Sequence, residues 1–130
     1  MMVKIDTREK FHVITILEPD VAANMTEKMD KVLLPLLDGN IKNVIINMKD
    51  IKMMDKAAAA HLLDLQHLFY DTRASFVICE LQPDVKEAMD DFSLMERFNY
   101  TPTGFNYTPT ESEAMDIVQM EEIERELDEF

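Results

Sequence analysis

The chain has 130 residues, 47% of them hydrophobic and 30% charged, which is the balance of a single soluble domain able to bury a core without disulfides or metal. A net charge of −13 argues against a direct nucleic-acid role, because nucleic acid is itself a polyanion. No run approaches the roughly 18 apolar residues of a membrane span, the polar start Met1–Lys10 is unlike a secretory signal, and one cysteine, Cys79, excludes an internal disulfide and fits a reducing cytoplasm.

Val3 and Ile5, followed by Val13, Ile14, Ile16 and Leu17, predict two strands joined by the polar stretch Asp6–Lys10. Pro19 ends the second strand, since it has no N–H to donate. Asp20 or Asn24 suits the N-cap of the helix that follows, and Asn24 has Glu27 three residues on. Met25, Met29, Val32, Leu33 and Leu36 fall on one face of that helix. Pro35 is expected to kink its last turn and Gly39 to stop it. Val44–Ile46 with Met48 is the nearly continuous apolar run of a strand covered on both faces.

Asn47–Asp55 reads as a loop that ends in a capping residue. Asp55 can accept hydrogen bonds from the first free N–H groups of a helix running from Lys56 to about Tyr70. Ser75–Cys79 is another apolar strand. Pro83 suits the first turn of a short helix reaching about Phe92. Phe98–Tyr100 is a weak strand, and Glu111–Glu129 is a long final helix. The order β-β-α-β-α-β-α-β-α predicts an α/β fold: a mixed central sheet of four to five strands with about four helices packed on it.

Two features of the C-terminal third stand out. Phe98-Asn99-Tyr100-Thr101-Pro102-Thr103 recurs as Phe105-Asn106-Tyr107-Thr108-Pro109-Thr110, with Gly104 between. Either copy has the aromatic and threonine content of a strand. The other would be a surface loop or an added edge strand. Residues 111–130 carry nine acidic side chains and one arginine, so −8 of the total −13 sits there and −5 on the other 110 residues. In that helix Ile117, Met120, Ile123, Leu127 and Phe130 make one apolar stripe. The expected division is a domain over 1–118 and an acidic extension over 119–130, whose end is free to dock on a partner or a second copy.

No arrangement of residues recommends catalysis or a metal. His61 and His67 are six apart, which is not the i, i+4 spacing of a helical metal pair, and His12 lies on a strand. Cys79 sits in an apolar run, where a thiol is inert packing. Asp90 and Asp91 point to different helix faces. Gly39 and Gly104 are the only glycines, too few for a phosphate loop. The reading is therefore of a protein with no cofactor and no metal. Met53, Met54 and Met120, among eleven methionines, are either core residues or an adaptable binding surface.

Three words in this order resemble the STAS family of anti-sigma factor antagonists. The first is Val44-Ile45-Ile46-Asn47-Met48-Lys49-Asp50-Ile51-Lys52-Met53-Met54-Asp55, similar to the family strand and loop that ends Asp-Ser-Ser-Gly. The second is Cys79-Glu80-Leu81-Gln82-Pro83-Asp84-Val85, and the third is Phe105–Ala114. The resemblance spans roughly residues 3–118. It implies a partner of the serine-kinase anti-sigma type, which would phosphorylate the second serine of that loop.

At that position this chain has Ala57. Asp55 is kept, Lys56 replaces the first serine and Ala58 the glycine, and no serine or threonine lies between Thr26 and Thr72. The resemblance therefore implies an interaction domain that serine phosphorylation cannot switch at the usual place. The partner surface it implies is Lys52, Met53, Met54, Asp55, Lys56, Ala57 and His61. Two rival readings stay open: an oligomerising scaffold that uses the repeat and the final helix, and a small-ligand or nucleotide-binding domain.

Overall fold

The computed structural model describes residues 1–91 and 107–128. In chain order it contains β1 (Val3–Thr7), β2 (Phe11–Ile16), β3 (Asp20–Val21), α1 (Thr26–Leu33), β4 (Asn43–Asn47), β5 (Met53–Met54), α2 (Lys56–Asp71), β6 (Phe76–Cys79), α3 (Pro83–Asp91), β7 (Tyr107–Thr108) and α4 (Glu111–Asp128). Five strands form the main sheet in the order β1-β2-β4-β6-β7. β1 is antiparallel to β2, and the remaining pairs are parallel. This is the expected mixed α/β sheet with four helices.

Alternation along the strands sorts the core into two layers. Ile14, Ile16, Val44, Ile46, Phe76 and Ile78 point to the side covered by α1 and α2, where Met29, Leu33, Leu62, Leu63 and Phe69 close the larger cluster. Phe11, Val13, Ile45, Val77 and Cys79 point to the other side and meet Ala114, Ile117 and Val118 of α4. The run Val44–Ile46 is buried on both faces, as its composition predicts.

Three details differ from the sequence reading. The loop before Asp55 is not wholly irregular: Met53–Met54 forms a short parallel ladder with Asp20–Val21. Neither Asp20 nor Asn24 caps α1. Asp20 is committed to that small ladder, and a 3₁₀ turn over Ala23–Met25 precedes the helix. The α-helical hydrogen bonding ends at Leu33 and tightens into a 3₁₀ stretch over Leu34–Asp38, because Pro35 lacks the N–H that would continue it. Gly39 does terminate that stretch, in an extended rather than left-handed conformation.

In the repeat, the second copy supplies the edge strand, with Tyr107 and Thr108 pairing Ile78 and Cys79. The ammonium of Lys86 on α3 lies 5.6 Å from the centre of the Tyr107 ring. The strand expected at Phe98–Tyr100 lies outside the described residues.

The apolar stripe of α4 divides between packing and exposure. Among its described residues Ile117 is packed, whereas Met120, Ile123 and Leu127 are 40%, 56% and 65% exposed. The helix turns Ala114, Ile117, Val118 and Glu121 to the sheet instead. Polar groups complete the seat. Arg125 Nη2 donates to Asn43 Oδ1, Ser75 Oγ and a Glu122 carboxylate oxygen, each at 3.0 Å. Asn43 Nδ2 donates to the same Glu122 oxygen at 2.8 Å and to Lys10 O at 3.0 Å, and Ser75 N donates to Asn43 Oδ1 at 2.8 Å. Tyr70 donates its hydroxyl to Glu121 at 2.7 Å. Burial, reinforced by that carboxylate, raises the Tyr70 pKa. Helix α4 is thus tied to its own sheet as far as Arg125, well into the segment expected as an extension.

Two outcomes follow from this network. Arg125→Met should lower unfolding stability by about 2 kcal/mol in urea, because it leaves Asn43, Ser75 and Glu122 short of partners. Burial pushes the Glu122 pKa up, but hydrogen bonds from Asn43 and Arg125 outweigh it and hold the net value below the ordinary one. The unfolded chain then binds that proton more readily than the folded one. The contribution of Glu122 is full above its unfolded-state value and is withdrawn as pH falls through the lowered folded value. Glu122→Gln should flatten that acid limb in thermal melts taken across pH.

Candidate functional site

The site is built around Asp55. Its main-chain N–H donates to Val21 O at 3.1 Å, so the β3–β5 ladder fixes its position. One carboxylate oxygen accepts Ala58 N–H at 2.8 Å, the expected cap of α2. The other accepts Ala23 N–H at 2.9 Å, at the start of the 3₁₀ turn that leads into α1. A single side chain therefore satisfies the starts of two helical segments. No acidic residue lies in the first turn of α2. Asp55 is thus also the carboxylate that faces the positive end of its dipole and offsets Lys56 beside it.

Around this anchor the expected surface residues separate. Lys52, Lys56 and Ala57 are exposed, and Met53 is 67% exposed. Met54 is different: at 5% exposure it belongs to the main core, because alternation in β5 turns it inward as Met53 turns outward. His61 is half-buried one turn along from Ala57, and its Nε2 lies 2.7 Å from Asp30 Oδ1 on α1. His61 thus joins α1 to α2 and presents only an edge to solvent. Ala58 and Ala59 are fully buried, so the alanine run packs α2 tightly against the sheet while Ala57 faces out.

Beside the start of α2 lies a cleft of about 600 Å³, lined by Val21, Ala22, Met53, Met54, Val85 and Ala88. The carboxyl-bearing residues Asp20, Asp55 and Asp84 and the cation Lys52 complete its lining. Nothing in the sequence announced this cleft, since it depends on the β3–β5 ladder bringing residues 20–22 beside 52–55 and α3 closing the third side.

The remaining candidates do not form a reaction centre. Cys79 is buried, and burial together with Glu111 and Glu80 pushes its pKa up to about 12, so it stays a neutral thiol near pH 7. Among the described residues no group of three or more His, Cys, Asp or Glu could hold a metal ion. His12 is occupied by Thr7 Oγ1 and Ile41 O, each at 2.9 Å. No helix among the described residues is long and apolar enough to cross a membrane.

The STAS domain family model matches residues 3–114. The chain belongs to the STAS family. Among solved structures, this STAS domain is similar to an anti-sigma-factor antagonist STAS domain protein from Planctomyces limnophilus, with a TM-score of 0.69 and 14% identity over 90% of this chain and 97% of that one. It is similar also to the anti-sigma factor antagonist SpoIIAA in its unphosphorylated form, with a TM-score of 0.68 and 16% identity over 91% and 96%. A murine Slc26a9 anion transporter matches at a TM-score of 0.66 and 15% identity, over 85% of this chain but 18% of the transporter. At these identities the likeness is one of fold. No curated protein sequence matches the chain.

The double cap gives a graded test. Asp55→Ala should cost about 1–2 kcal/mol of stability, and Asp55→Asn, with one oxygen left to accept, an intermediate amount. Urea midpoints of the three proteins would show this order, and an Asp55→Asn variant as stable as the parent would mean that only one of the two hydrogen bonds matters.

Proposed function

We propose that this STAS domain is a non-enzymatic interaction module that acts as an anti-sigma factor antagonist. Its partner surface is the start of α2: Lys52, Met53, Asp55, Lys56 and Ala57, with Met54 supporting from below and His61 at the edge. The observation that carries the reading is the exposed Ala57 methyl in the first turn of a helix whose N-cap, Asp55, is kept.

Phosphorylation there would add roughly −1.5 to −2 charges to the surface. Ala57 has no oxygen to accept a phosphoryl group, and no serine or threonine lies between Thr26 and Thr72 to replace it. The module is therefore held in the binding form, without the negative switch. A partner of the serine-kinase anti-sigma type fits this surface. A nucleotide fits it poorly, because Asp20, Asp55 and Asp84 around the adjoining cleft would repel phosphates.

Ala57→Glu separates binding from folding. A carboxylate in the first helical turn favours the helix dipole, so the variant should fold at least as well as the parent. In affinity capture from native cell extract, the parent should retain a kinase-like anti-sigma factor and Ala57→Glu should lose it. Equal capture by both would remove the start of α2 as the interface.

A further inference from the structure

Helix α4 has a second apolar face, opposite the one that packs on the sheet. Met120, Ile123 and Leu127 occupy it at 40%, 56% and 65% exposure, with spacings of three and four that align them along one line of the helix. No described residue covers them. The sheet already has its own share of α4, namely Ala114, Ile117, Val118 and Glu121. Arg125 and Glu122 lock the same segment from beneath through Asn43 and Ser75. The exposed line is therefore presented on an anchored helix.

The charged groups of α4 that border this line are all acidic. Asp116 stands one turn before Met120 on the same line, and Glu124 and Glu126 flank it on either side. The helix has a single basic residue, Arg125, which is turned inward to the polar network. We infer that this face of α4 is a second docking surface, and that its occupant is an amphipathic helix with apolar residues along one side and lysine or arginine along the edges.

Charge decides between occupants. A second copy of this chain would set Asp116, Glu124 and Glu126 against the same residues within the roughly 10 Å over which charges are felt at ordinary salt. An anionic lipid surface meets the same objection. A basic partner gains from those carboxylates while its apolar side covers the line. The stripe lies beyond residue 114, where the family match ends, and on the side of the sheet away from α2. It is therefore separate from the surface proposed above.

The probe is a synthetic helix-forming peptide of leucine and lysine with the leucines on one face, compared with a scrambled peptide of identical composition. Fluorescence anisotropy should show the patterned peptide binding the parent about tenfold tighter than the scrambled one. The triple variant Met120→Ser, Ile123→Ser, Leu127→Ser keeps every charge and should erase that preference. Ile123→Lys alone should weaken it, and Ala57→Glu should leave it intact. The inference is overturned if the triple variant keeps the preference, if Ala57→Glu abolishes it, or if the parent alone sediments as a dimer that the triple variant dissociates.

Discussion

The carboxylate of Asp55 is the contact on which the arrangement of the proposed interaction face depends. Two helical segments begin beside it, and each begins with N–H groups that have no partner inside the helix. One oxygen serves Ala58 and the other serves Ala23, at 2.8 and 2.9 Å. That shared acceptor sets the distance between the segment entering α1 and the start of α2. The ladder of Asp20–Val21 with Met53–Met54 brings the strands within reach, and the aspartate then fixes both helix starts. Ala57, Lys56 and Met53 are displayed where they are because of this joint.

The opposite side of the sheet is organised by different means. Three buried apolar residues of α4, with Met115 packed beside them, meet a short row of strand side chains, which is a small hydrophobic contact for an 18-residue helix. Polar clamps at both ends compensate for its size. At one end Asn47 donates to Glu111 at 3.1 Å, and Glu111 N donates to Glu80 at 2.8 Å. At the other end stand Asn43, Ser75, Glu122 and Arg125. Buried polar groups add little net stability when paired and cost much when not. Their effect is to fix the rotation and axial position of α4.

The main architecture was legible because strands and helices are written in period and punctuation. Val44–Ile46 reads as a doubly covered strand, Asp55 as a cap and Pro83 as a helix start, and each stands there. The same rules left the seating of α4 open. Helical spacing alone cannot tell which of two apolar lines meets the sheet, and the choice fell to Ala114 and Val118, the line that brings Glu121, Glu122 and Arg125 to their buried partners. A signal was present: one arginine in a strongly acidic helix, with Asn43 and Ser75 heading two apolar strands in the same register. The β3–β5 ladder left no such trace. Two-residue strands have no period to read, and Asp20 was as fit to cap a helix as to pair.

The duplicated six-residue word raises a question of choice between two identical strings. Only pairing and context can distinguish them, because their side chains are the same. After the second copy the chain continues Glu111-Ser112-Glu113, and Thr110 Oγ1 accepts Glu113 N–H at 3.2 Å while the hydroxyl reaches the Glu113 carboxylate at 3.1 Å. After the first copy it continues Gly104-Phe105-Asn106, which offers no such box. The residues that follow the second copy therefore support it as the strand that pairs with β6. In this sense the helix start acts as a spelling check on the sheet, because the second copy pairs as a strand directly before a helix that can be capped.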